Sequence, residues 1–173
     1  MPSAASINFA GRLEVVDRIV EAYGLLGRRQ RPALVKAGIV FLSAATEAFI
    51  EELYQEAAFR IFAGMSEKEF KALFALTSER LHNASVMKTE LLYINLGMRG
   101  ALRGLSWQGF ANEKLRREWD AFFTMRNRVV HGANVSVPFS HLRRWRVIIE
   151  TVVPIFEEKV ANHTEVLTHR RPW

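Results

Sequence analysis

No cysteine occurs among the 173 residues of this chain, so disulfides and thiolate chemistry are excluded, while the compartment stays open on that count. No glycine-rich phosphate loop of the G-x-x-x-x-G-K type is present, which leaves ATP hydrolysis without support. No H-E-x-x-H string or Cys/His set suggests zinc. The adjacent pairs Glu51-Glu52 and Glu157-Glu158 point different ways round a helix and form no metal cup. The expectation is therefore no metal and no cofactor. No apolar run reaches the ~18 residues of a membrane span. Met1-Pro2-Ser3-Ala4-Ala5-Ser6 lacks the basic-then-apolar order of a secretory leader. A cytoplasmic location without a membrane is expected. Strand-like alternation is missing as well, and no stretch has a distinct helix-turn-helix recognition pattern.

What is present suits a packed globule. About half of the residues are apolar, with 12 Phe and 4 Trp, enough for a substantial core in one domain over 1–173. The core is expected over about 6–167, with a loose tail at 168–173. The net charge is +6 and the pI about 10.1. Such a balance favours an anionic partner, nucleic acid first. Arginine outnumbers lysine, which leans toward phosphate contact, although a solvated arginine-rich surface explains the same composition.

Apolar residues recur at three and four positions almost throughout, the period of a helix. The pattern predicts an all-α, antiparallel bundle of about five to six helices. The first covers roughly 6–26, with Leu13, Val16, Ile19, Val20 and Tyr23 on one stripe, and Pro32 suits the first turn of the second. That helix runs to about 63, is nearly all apolar from Ala33 to Ala48, and reads as the central one. Ser66-Glu67-Lys68-Glu69 is a capping box opening a third helix with Phe70, Leu73, Phe74 and Leu76. After a break at 82–85, a fourth is expected over 86–102. A fifth starts at an Asn112 cap, buries Leu115, Trp119, Phe122, Phe123 and Val130, and stops at Gly132. A sixth, from a possible cap at Ser140 to about 167, contains Pro154, which either kinks or splits it.

The chemistry concentrates in Arg126-Asn127-Arg128-Val129-Val130-His131-Gly132. Histidine moves protons near neutral pH. Arginine neutralises phosphoryl oxygens with a rigid donor fork, and an asparagine amide can orient a ribose or phosphate oxygen. Phosphodiester cleavage needs no paired-carboxylate metal site when such groups are at hand. One objection is geometric: residues five apart on a helix differ by about 140° in direction. A long Arg126, a His131 in the fraying last turn, or a symmetric dimer that repeats the patch would each answer it.

Arg-polar-x-x-x-His at the end of a bundle helix resembles the R-x(4–6)-H motif of HEPN-domain ribonucleases. The segment Ala44-Ala45-Thr46-Glu47-Ala48-Phe49 is similar to the A-x-x-E-A-[FY] helix of the RiboL-PSP/MAE-type branch, and the resemblance extends over about 30–165. It implies a homodimer that cuts RNA by 2′-hydroxyl attack to leave 2′,3′-cyclic phosphate ends, in a toxin–antitoxin or phage-defence setting. Carried over, His131 is the general acid/base, Arg126 stabilises the phosphorane, and Asn127 holds geometry. Position 133 is Ala, where one toxin branch has a modifiable tyrosine, so that branch is not implied. With no fused sensor read in the chain, control is expected from a separate antitoxin or regulatory protein.

Several residues have two readings. Arg and His in a last helical turn also serve simply to complement the helix dipole. Glu47, costly among apolar neighbours, either pairs with Arg126 from behind or faces solvent, and Glu51 one turn on can take the same role. Arg128 contacts phosphate or is merely solvated. Arg143 and Arg144, at the start of the sixth helix, are RNA-contact candidates if that start lies beside His131. Trp145 reads as core more readily than as a stacking platform. His82, His163 and His169 read as surface or structural. The alternative function is a non-catalytic helical adaptor that binds RNA or a protein through the same basic groove.

Overall fold

The structure is a computed structural model whose described residues are 1–66, 68, 69, 72 and 83–173. Among them five helices account for the architecture: α1 (Ala4–Ala22), α2 (Arg31–Ile61), α3 (Val86–Ile94), α4 (Asn112–Val130) and α5 (Phe139–Thr168). No named strand occurs among the described residues; the nearest thing is an isolated bridge between Trp107 and Phe110. The helix expected to carry Phe70, Leu73, Phe74 and Leu76 lies mostly outside the described residues, as does His82. Its opening is in view. Ser66 Oγ accepts from Glu69 N at 3.3 Å while Glu69 Oε2 accepts from Ser66 N at 2.9 Å, the reciprocal pattern of a capping box.

α2 is the central helix. Its apolar side chains face α1 on one side and α5 on another: Phe9 meets Phe49 at 5.6 Å between ring centroids, and Phe49 meets Phe156 at 6.4 Å. The order of contacts fixes the directions. Gly38 packs on Ile19 and Leu142, whereas Phe49 packs on Phe9 and Phe156, so α1 runs antiparallel to α2 while α5 runs with it. A side chain at Gly38 is excluded by space, since its Cβ would lie 2.5 Å from Leu142 Cδ2 and 3.2 Å from Ile19 Cγ2. One 18-residue window of α2 has mean hydropathy 1.7, enough by length and composition alone to cross a membrane. Half of that window is buried in the bundle.

α3 and α4 are tied to this core by polar contacts as well as packing. Tyr93 OH donates to the Ile50 carbonyl at 3.0 Å, and burial pushes its phenol well above the usual value. Trp119 Nε1 donates to the Ala84 carbonyl at 2.6 Å, and the Val86 N–H reaches Asp120 Oδ1 at 2.9 Å.

Several local expectations change. The fourth expected helix stops at Ile94 instead of 102, because Gly97, Gly100 and Gly104 all take positive φ and turn the chain. Asn112 is the first helical residue of α4 rather than its cap. Its Nδ2 donates to the Leu102 and Leu105 carbonyls, pinning the preceding loop. Ser140 lies inside α5, whose cap position is Pro138, and Pro154 sits within one continuous helix. The tail is not loose. Arg171 bonds Asn162 at 2.8 Å and pairs with Glu158, while Pro172 is buried and Trp173 packs against the core.

Candidate functional site

The buried stripe of α4 is Leu115, Trp119, Phe122 and Phe123. Adding three or four to the last of these reaches Arg126, so the helical period directs a guanidinium toward the core. A cation aimed that way needs a partner, and α2 supplies it: Arg126 Nη2 lies 3.5 Å from Glu47 Oε2, with the two side chains 24% and 18% exposed. Of the two readings of Glu47, the structure has the pairing with Arg126. At 3.5 Å it is a long contact, at the limit of a hydrogen bond. Arg126 Nη1 also donates to Asn127 Oδ1 at 3.1 Å. Its Nε is buried and has no hydrogen-bond partner among the described residues.

Val130, one turn beyond Arg126, was expected in the buried stripe. It is 50% exposed, because the covered face of this turn runs through Met125 and Val129, which pack against the core. The helix ends in a Schellman motif. The Ala133 N–H donates to the Arg128 carbonyl at 2.9 Å and the Gly132 N–H to the Val129 carbonyl at 3.3 Å, with Gly132 at φ +73°. Open space surrounds the place where a Gly132 Cβ would be, so glycine is demanded here by the backbone angle and not by crowding.

His131 is the C-cap residue. Its backbone N–H closes on the Asn127 carbonyl at 2.9 Å, and its imidazole is exposed, with no side-chain partner among the described residues. Asn127 precedes it by one turn on the same side of the helix, so Asn127 stands between the guanidinium it contacts and the imidazole. Arg128 is exposed and has no carboxylate partner among the described residues. The patch therefore offers one solvent-facing imidazole, one solvent-facing guanidinium, and one guanidinium held from behind by a carboxylate. Among the described residues no three His, Asp or Glu side chains gather where they could hold a metal ion.

The start of α5 is placed differently from the expectation. Arg144 pairs with Glu118, whose second oxygen accepts from Trp145 Nε1 at 3.2 Å. Glu118 precedes His131 by 13 residues, about 20 Å of helix axis at 1.5 Å per residue. Arg143 and Arg144 thus sit toward the other end of α4. Arg143 is exposed without a carboxylate partner among the described residues, while Arg144 is already neutralised. Trp145 is core, 5% exposed and tilted against Phe122 with 5.5 Å between centroids. Its rings are closed to a nucleobase.

Sequence reasoning passed over one aromatic feature. The segment Trp107-Gln108-Gly109-Phe110 forms a tight turn in which Phe110 N–H donates to the Trp107 carbonyl at 2.8 Å, with Gly109 at φ +75°. The two rings stack with centroids 4.4 Å apart and planes 1° from parallel. The signal was there to find: two aromatic residues three apart, with a glycine just before the second, is a turn that brings both rings to one side. Comparison of the chain with family models, with curated proteins and with solved structures yields no match.

Proposed function

We propose that this chain is a HEPN-like endoribonuclease that cuts RNA without a metal, using the exposed C-terminal end of α4. The observation that carries the reading is the exposed His131 imidazole at the cap of α4, in the same terminal turns as an Arg126 guanidinium that Glu47 and Asn127 contact. In the reaction an imidazole takes the proton of the ribose 2′-hydroxyl as O2′ bonds to phosphorus. An imidazolium then gives a proton to O5′ as the P–O5′ bond breaks, leaving a 2′,3′-cyclic phosphate. Arg126 and Arg128 offset the charge that builds on the phosphoryl oxygens. One chain supplies one such histidine, and a two-fold dimer supplies the second copy. An exposed apolar side chain at the patch supports that dimer: Val130, 50% exposed, one turn after Arg126 on α4. A cytoplasmic role in toxin–antitoxin or phage-defence systems, under control of a separate protein, completes the proposal.

A second reading has its own observation. Arg126 already has a carboxylate at 3.5 Å, so part of its charge is spent inside the chain, as in a helical adaptor that binds RNA or protein without cutting. Incubating total and transfer RNA in EDTA with wild type and His131→Ala decides between them. Cyclic-phosphate ends from wild type alone are expected. Intact RNA with both proteins, each shown to be dimeric and pure, favours the adaptor, and equal cutting by both removes His131 from the reaction.

A further inference from the structure

Away from the α4 terminus, a cleft of about 430 Å³ opens between the Trp107–Phe110 turn and the first turns of α5. That volume falls within the range of small-ligand sites. Trp107 and Phe110 form one wall, both half-buried, and Val147, 54% exposed, contributes to the other. Arg143 and Arg144 stand along it, and Lys114 places its Nζ 4.6 Å from the Phe110 ring centroid. Phe110 stacks on one face of the indole, and the half-buried Trp107 lines the cleft, where an entering ring would meet it. Three cations, Arg143, Arg144 and Lys114, stand by this aromatic wall, and among the described residues Glu118 pairs with Arg144. A flat ring joined to an anion matches both halves of the lining. A free mononucleotide and one unit of a single strand share that chemistry. A duplex does not, because stacking on neighbouring pairs covers its base faces.

We propose that this cleft is a nucleotide subsite for single-stranded RNA, with a base stacked on Trp107 and its phosphate met by Arg143. The assignment of RNA as the ligand rests on the function proposed above; the location and the residues do not. The subsite is distinct from the His131 patch, since Glu118 beside Arg144 lies about 20 Å before His131 along α4. It anchors the strand and takes no part in the chemistry.

Fluorescence anisotropy with a 5′-labelled 12-nucleotide single-stranded RNA tests this on the full chain carrying His131→Ala, so that cutting cannot confuse binding. Adding Trp107→Ala is expected to weaken binding about 5- to 100-fold, the range for loss of one base–aromatic stack, while Trp107→Phe restores most of it. Arg143→Ala, an exposed change that breaks no ion pair or hydrogen bond among the described residues, should lower the slope of log K against log salt by about 0.7, as for one phosphate of a single strand. AMP competing with the RNA at low millimolar concentration would mark a free nucleotide as a ligand of the same cleft. Unchanged affinity and slope in both the Trp107→Ala and Arg143→Ala proteins, with RNA still bound, overturns the subsite and leaves the nuclease reading standing. No RNA binding by any of these proteins overturns both.

Discussion

The two ends of α4 use the same residue types to opposite effect. Toward its N-terminus, Arg116 pairs with Glu90, Arg117 with Glu113 at 3.9 Å, and Glu118 with Arg144, while Asp120 accepts the Val86 N–H. Toward its C-terminus, Arg128 and His131 have no carboxylate among the described residues, and Arg126 has only the long contact to Glu47. The net charge of +6 is therefore no guide to where an anion would bind. Arg12, Arg146 and Arg171 on α1, α5 and the tail are likewise paired, with Glu52, Asp17 and Glu158. Such exposed pairs contribute little to stability, up to about 1 kcal/mol each. Their larger consequence is local: each offsets the positive charge of its own stretch of surface, so that a cation with a carboxylate beside it attracts an anion less than one without.

The largest test of this contrast is Arg126→Ala. If the C-terminal end of α4 is the reactive one, RNA cleavage falls by about 10²- to 10³-fold, the usual result of removing one donor to a developing oxyanion. Unchanged cleavage in a folded protein would make the two ends equivalent and break the comparison. Next comes Gly132→Ala, which forces an L-residue into the left-handed region at a cost of roughly 1–2 kcal/mol. For a domain of this size that lowers Tm by about 2–8 °C, and the displaced cap carries His131 with it, so cleavage declines too. A variant with wild-type Tm would show that the chain ends α4 in some other way.

A smaller effect sharpens the same point. Arg128→Ala should reduce the salt slope of single-stranded RNA binding by about 0.7. Arg144→Ala should reduce it by less, because Glu118 already offsets that charge; equal slopes would mean that internal pairing does not silence a cation here. The smallest effect concerns a neutralised pair far from α4. Burial pushes the Glu52 carboxyl up, yet hydrogen bonds from Arg12 and Asn8 and the Arg12 charge hold it below the usual range. A depressed carboxyl stabilises the fold above its unfolded value, about pH 4.3, and that contribution is lost as pH falls through the lower folded value. Acid titration of Tm should accordingly be shallower below pH 4.3 in Glu52→Gln than in wild type, and identical curves would show that the pair contributes nothing.

Much of the framework was readable in the residues. The 3.6-residue period located α1, α2, α4 and α5, and the cost of a carboxylate among apolar neighbours singled out Glu47 as one candidate partner of Arg126. The misreadings are all places where a local pattern met a neighbour or lacked one. Val130 reads as part of the apolar stripe of α4, but its neighbour Val129 is the residue of that turn that packs on the core. Asn112 and Ser140 have good capping side chains, yet Ala111 and Pro138 occupy the cap positions, and Asn112 bonds two loop carbonyls instead. Arg144 resembles a phosphate ligand until Glu118 is seen beside it.

Sequence alone determined the all-helical class, the central position of α2, the glycine stop after His131 and the residue types grouped there, because these depend on periodicity and backbone preference within one segment. Only the tertiary structure decided which cations are matched, that the start of α5 lies about 20 Å from His131 along α4, and that Trp107 rather than Trp145 lines an open cleft. The physical reason is range. Helical preference acts over a few residues of chain, whereas charge neutralisation and the covering of an aromatic face depend on groups tens of residues away that only packing brings together.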